Sequence, residues 1–181
     1  MKTILIFVSS LDGKITRWGN PMIRSWSSKS DQEHFDAIWK DTRVIIMGSG
    51  TYNPDPVKPV SRHLFVILTR HPERYKSREI PGQLEFTDDS PLLLMERFQK
   101  ANEDKLLIVG GAQIAALFLK AQLIDELWLT IEPRIFGIGA SFVNDEKLNI
   151  ELKLLSCEQA NEQGTLILKY KVIKVEEKLN R

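Results

Sequence analysis

The chain has 181 residues, with 25 Lys and Arg against 24 Asp and Glu, three His and one Cys. A hydrophobic share of 43% beside 27% charged residues is globular composition, which excludes disorder and collagen-like repeats. The net charge of +1 leaves no electrostatic footprint for nucleic acid or an anionic membrane, and lone Cys157 can form no disulfide within the chain.

In chain order, the first element is the short apolar run 4–8. It is too short to span a membrane and lacks a small-residue cleavage site, so it reads as a buried strand in a cytoplasmic protein. Residues 11–29 are irregular, broken by Gly13, Gly19 and Pro21, and hold Trp18 and Trp26. A loop of that length is expected to be a lid over a site. Ser30 followed by Glu33 is a capping-box pattern for a helix through Trp39, with Phe35, Ile38 and Trp39 on one face. Strands follow at 44–47 and 64–68. Ser90 before Pro91 opens a second helix leading into Leu93, Leu94 and Phe98. A strand at 106–109 precedes a third helix, 112–121, with Ile114, Leu117 and Phe118 as its stripe, and another strand lies at 127–131. The last two runs, 151–155 and 166–172, flank Asn161-Glu162-Gln163-Gly164 and read as a closing antiparallel hairpin. Strands alternating with helices predict an α/β fold with a mixed, mostly parallel sheet covered on both faces. The domain is expected over 1–175, with a charged tail at 176–181.

Chemistry concentrates at strand ends. Val109-Gly110-Gly111-Ala112 joins a strand to a helix start, where free N–H groups and the positive helix end favour a phosphate. The same turn also serves as a plain tight corner. Met47-Gly48-Ser49-Gly50-Thr51-Tyr52 is a second glycine corner, with two hydroxyls. Two such corners suit a dinucleotide. Thr69-Arg70, at the end of 64–68, places a cation where a 2′-phosphate would distinguish NADPH from NADH, unless Arg70 pairs with Glu73. Asp31, in the first helical turn, and Asp55, between two prolines, are the acid–base candidates, each also explicable as a structural residue. Asp12-Gly13-Lys14 reads as a turn first and a site second. Asp125-Glu126 is expected to orient the following strand. His34, His63 and His71 show no metal-ligand spacing and read as surface or packing residues.

The order Ser10-Leu11-Asp12-Gly13-Lys14-Ile15, Trp26-Ser27-Ser28, Gly48-Ser49-Gly50-Thr51, Val109-Gly110-Gly111-Ala112 and Leu123-Ile124-Asp125-Glu126-Leu127, with Glu132-Pro133 and Gly137-Ile138-Gly139, resembles the RibD C-terminal family, the reductase domain of riboflavin biosynthesis. Residues 45–52 and 66–70 are also similar to dihydrofolate reductase. The resemblance implies a dihydrofolate-reductase-like three-layer fold and an NADPH-dependent reductase acting on a small heterocycle. It implies cofactor contacts from Trp26, Gly48, Ser49, Gly50, Thr51, Thr69, Arg70, Gly110, Gly111, Ala112, Gln113 and Ile114. It implies substrate contacts from Ser10, Asp12, Ser27, Ser28, Thr51 and Asp55. Where riboflavin reductases commonly carry a substrate-binding Glu, this chain has Val109. Asp31 with Phe35 one turn later is similar to the acid and aromatic that hold a pterin. The alternatives to a riboflavin-type reductase are therefore a dihydrofolate-type reductase and a non-catalytic nucleotide-binding relative. Relatives are often homodimers and an exposed strand edge could pair two copies, which leaves the oligomeric state open; nucleic acid, membrane and metal are not expected.

Overall fold

Strands that are apolar at every position need cover on both faces, and the central strands have it. In the computed structural model, which describes residues 1–143 and 147–174, the chain runs β1 (Lys2–Ser10), α1 (Lys29–Lys40), β2 (Val44–Gly48), α2 (Ser49–Tyr52), β3 (Leu64–Leu68), β4 (Leu84–Thr87) and α3 (Pro91–Lys100). It continues through β5 (Lys105–Ile108), α4 (Ala112–Lys120), β6 (Glu126–Glu132), β7 (Glu151–Gln159) and β8 (Leu166–Ile173), with 3₁₀ turns at Ile23–Ser25 and Pro72–Arg78. One eight-stranded sheet has the order β4-β3-β2-β5-β1-β6-β8-β7. Neighbours from β4 to β6 are parallel, and β8 runs antiparallel to both β6 and β7.

Strand periodicity sorts the core into two layers. Leu5, Phe7, Val44, Ile46, Val66 and Ile108 face one side with Leu94 and Phe98 of α3 and Phe118 of α4. Ile4, Ile6, Ile45, Met47, Phe65 and Ile67 face the other, where Phe35, Ile38 and Trp39 of α1 pack. This is the three-layer α/β arrangement, closed by the antiparallel hairpin.

Several details depart from the sequence reading. The cap of α1 is Ser28, not Ser30: the Ser28 hydroxyl accepts from the Asp31 amide at 3.2 Å. The Ser30 hydroxyl instead accepts from Asn161. β4 was not anticipated, because its four residues carry too little pattern to stand out from the turns around them. In α3, Leu93 is exposed while Leu94, Met95 and Phe98 face inward. In α4, Leu117 is exposed and Ala115 and Leu119 take its place. The strand expected at 151–155 extends to 159, and all nine residues of β7 are exposed at the sheet edge, Leu152 and Leu154 among them. Expectations for the tail 176–181 lie outside the described residues. No helix among the described residues is long and apolar enough to cross a membrane.

The segment 11–29 is two structures rather than one lid. Its first part is zipped to residues 134–141: Leu11 N–H donates to the Arg134 carbonyl, Ile15 N–H to Ala140, and Trp18 N–H to Ile138. Trp18 is 71% exposed, whereas Trp26 is buried with its ring edge-on to Phe136 at 5.0 Å. Gly139 makes the zipper possible, since a Cβ there would lie 2.1 Å from the Thr16 carbonyl oxygen. Gly139→Ala should therefore lower unfolding free energy by about 1–3 kcal/mol, as overpacked sites do. Gly50→Ala, with nothing within 4 Å of the added atom, should stay within about 0.5 kcal/mol of the parent by urea denaturation.

Candidate active site

A cleft of about 670 Å³ opens where the parallel strands end, the position at which open α/β sheets bind ligands. Its floor is Ile6, Phe7 and Val8 of β1 with Met47 and Val109. One wall is α1, through Asp31, His34, Phe35 and Trp39; the rim is Met22, Ile23, Asp55 and Lys58.

Asp31 is the cleft's buried acid, only 6% exposed. Burial pushes its carboxyl up to about 6. Hydrogen bonds from the Thr130 and Ser27 hydroxyls pull the other way, the charge of Glu132 raises it further, and Arg24 lowers it. Asp55 is exposed on the opposite rim. Thr51 also lines the cleft, and a Cβ at Gly111 would meet its Oγ1 at 3.2 Å, so this residue stands between the cleft and the glycine corners.

Those corners abut each other. Gly48 N–H donates to the Gly110 carbonyl at 2.9 Å, and a Cβ at Gly48 would meet the Ile114 side chain at 2.9 Å. Gly110 has φ +105°, a conformation that favours glycine. Gly111 caps α4 with no side-chain bond, so the first-turn amides of Ala112, Gln113 and Ile114 carry no side-chain cap. Ser49, Gly50 and Thr51 form α2 beside them. Thr69 lies past the end of β3, its hydroxyl accepting from the His71 amide. Arg70 is exposed and, among the described residues, unpaired: Glu73 pairs with His71 and Arg74 instead.

Other expected residues lie elsewhere. Ser10 and Asp12 do not line the cleft. The Ser10 hydroxyl donates to Asp12 at 2.6 Å, and Asp12 accepts from the Phe136 and Gly137 amides at 3.1 and 2.8 Å. The Ser10 hydroxyl, followed by those amides, holds the Asp12 carboxyl down at about 2, and the pair fastens two loops. Trp26 is buried behind the cleft wall, its indole N–H without a partner, while Ser27 beside it lines the cleft. Ser28 is committed to the helix cap. Asp125 accepts from the Thr3 amide at 2.9 Å and from Lys174, fixing the start of β6 to β1.

Three residues were given no role at the site by the sequence. His34, read as packing or surface, lines the cleft; burial first, then Lys169, lowers its pKa, with Glu158 opposing. Thr130 and Glu132 are buried polar residues in β6, and a polar side chain interrupting an apolar strand was the available signal.

A mixed, mostly parallel sheet with helices on both faces and a closing antiparallel hairpin is a dihydrofolate-reductase-like fold. The chain belongs to the RibD C-terminal domain family, whose model matches residues 1–166. It is 23% identical over 164 residues to the uncharacterized protein YwjB of Bacillus subtilis, covering 87% of this chain and 91% of that one. A putative riboflavin biosynthesis protein from Shewanella sp. PV-4 superposes with a TM-score of 0.75 at 21% identity, over 96% of this chain and all of that one (100%). Dihydrofolate reductase from Enterococcus faecalis, complexed with NADP(H), gives 0.62 at 17% identity over 94% of each chain.

Asp31 also governs stability. The folded chain keeps this proton up to about pH 6, whereas the unfolded chain releases it near 3.8, so stability falls as pH rises through that window and stays lower above it. Asp31→Asn should thus be more stable than the parent by about 2–3 kcal/mol at about pH 8, and equal to it below about pH 4, in paired urea titrations.

Proposed function

We propose that the protein is an NADPH-dependent reductase that adds a hydride to a C=N or C=O carbon of a small heterocycle. The observation that carries this reading is the buried carboxyl of Asp31 in the wall of a cleft that opens beside two glycine corners. An ionised carboxylate has two acceptor oxygens, which match paired N–H donors on a heterocycle's amidine edge. Phe35 and Trp39, on the same helix wall, supply apolar area for a flat ring.

The corners fit a dinucleotide. Gly48, Gly110 and Gly111 let the corners close tightly against Ile114, Phe7 and Thr51, and beside them the uncapped first turn of α4 offers amides to a phosphate. Unpaired Arg70 would meet a 2′-phosphate beyond β3. Bound there, NADPH supplies the hydride. The protein's share is placement: α1 and the 21–27 segment hold the acceptor and exclude water, and Asp31 or Asp55 is the carboxyl that hands on a proton. Val109 leaves uncharged the part of the floor where riboflavin reductases commonly carry Glu; the acceptor is a phosphoribosylaminouracil or a dihydropterin, and turnover of the two separates them.

Stopped-flow loss of NADPH absorbance with each of those two substrates tests the reading, with turnover expected and Asp31→Asn slowing it at least about tenfold. Arg70→Ala should weaken NADPH binding about tenfold or more and leave NADH nearly unchanged in calorimetry. No oxidation with either substrate, together with no thermal stabilisation by either coenzyme, would overturn it.

A further inference from the structure

Glu132 is the most deeply buried carboxyl among the described residues, 2% exposed at the last position of β6, and no cation pairs with it there. It has two partners. One oxygen accepts from the Ser28 amide at 2.7 Å, and the other from the Thr165 hydroxyl at 2.8 Å. Thr165, fully buried in the turn between β7 and β8, accepts in turn from the Asn161 amide group at 2.9 Å. Ser28 is the residue whose hydroxyl caps the Asp31 amide. One hydrogen-bonded chain therefore runs from the hairpin turn, through Glu132 and Ser28, to the backbone of the cleft's acid.

A buried carboxylate without a cation is costly, and a second buried carboxyl nearby makes it more so. Packing does not account for it: β6 needs only an apolar residue or an amide to end beside Ser10 of β1, its register partner. What a carboxylate adds at this place is two acceptor oxygens, aimed at a helix amide and a hairpin hydroxyl. The first is a contact that a shifting helix end would lose, and the second fixes the carboxylate that makes it.

We propose that Glu132 is a positioning residue for Asp31, pinning the first turn of α1 to the end of β6 and to the hairpin turn so that Asp31 stands at a fixed depth in the cleft wall. The inference rests on the reading of Asp31 as the substrate's partner. The charged groups facing Asp31 are Glu132 from β6 and Arg24 from the 3₁₀ turn. The hydroxyls of Thr130 and Ser27 bond it, and His34 stands one turn along its own helix. The hairpin turn contributes the neutral Thr165 and Asn161, and its strands carry Lys169 and Glu158, which act on His34.

The test is the titration of the Asp31 carboxyl by carbon-detected NMR in the ligand-free protein, assigned against Asp31→Asn. It is paired with the pH profile of kcat/KM and the separate effects on kcat and KM. Glu132→Gln keeps an acceptor for Ser28 and removes a negative charge from Asp31's surroundings. The Asp31 midpoint should move down by about half a pH unit or more, and the acid limb of the kcat/KM profile should move with it. Thr165→Val leaves the charge but frees one oxygen of Glu132. It should raise KM at least about threefold with a smaller effect on kcat, as expected when a binding group loses its placement. A fall in melting temperature in either variant with the Asp31 midpoint and KM both unchanged would make Glu132 merely structural and overturn the proposal. Should Glu132→Gln not fold, Thr165→Val carries the same decision. A midpoint shifted in Thr165→Val, where no charge has changed, in a protein that turns over neither substrate would sustain the positioning role and refute the reductase reading instead.

Discussion

A strand covered on both faces has no place for a polar side chain except at its ends, and that constraint organises the molecule. β2, β3 and β5 are buried throughout or nearly so, and β1 is exposed only at Lys2. The polar groups and glycines of these strands are therefore expelled to the carboxyl ends: Gly48 and Ser49 after β2, Thr69 and Arg70 after β3, Val109 to Gly111 after β5. Parallel pairing brings those ends to one side of the sheet, so the glycine corners meet each other and border a single cleft. The site is a by-product of how the core is filled.

The same constraint explains what could be read in advance. Continuous apolar runs mark doubly covered strands, and glycines that end them mark corners where backbone comes close to backbone or to a ligand. The strands other than β4, with α3, α4 and the hairpin, were legible on that basis, as was the concentration of candidate groups at strand ends. Asp31 was visible as a residue type at a helix start, but nothing along the chain says that it is buried. Its depth depends on Thr130 and Glu132, about a hundred residues further on, which approach only because β1 pairs with β6 from Ile4↔Glu126 to Ser10↔Glu132. Ser10 and Asp12 failed as cleft residues for a related reason. Their hydrogen-bonding capacity is consumed by the Lys14, Phe136 and Gly137 amides, partners that only the folded chain supplies.

A cluster of two buried acids at one helix end runs against stability, since each disfavours the other's charge and both have left water. Helix α1 tolerates this because its first turn is held from three directions: by Ser28 as cap, by the carboxylate that ends β6, and by the Asn161–Ser30 contact from the hairpin. The result is a strained electrostatic arrangement with over-determined geometry. The groups stay poised because the protein, rather than solvent, holds them.

The zipper between residues 11–18 and 134–141 has a consequence for how the molecule comes into being. Its hydrogen bonds join positions as far as 125 residues apart. During synthesis, the amino-terminal segment waits for its partner until four-fifths of the chain has left the ribosome. Contacts of such long range are late and slow to close. A nascent chain can settle the β1 to β5 half of the sheet and still leave this amino-terminal segment without its partner.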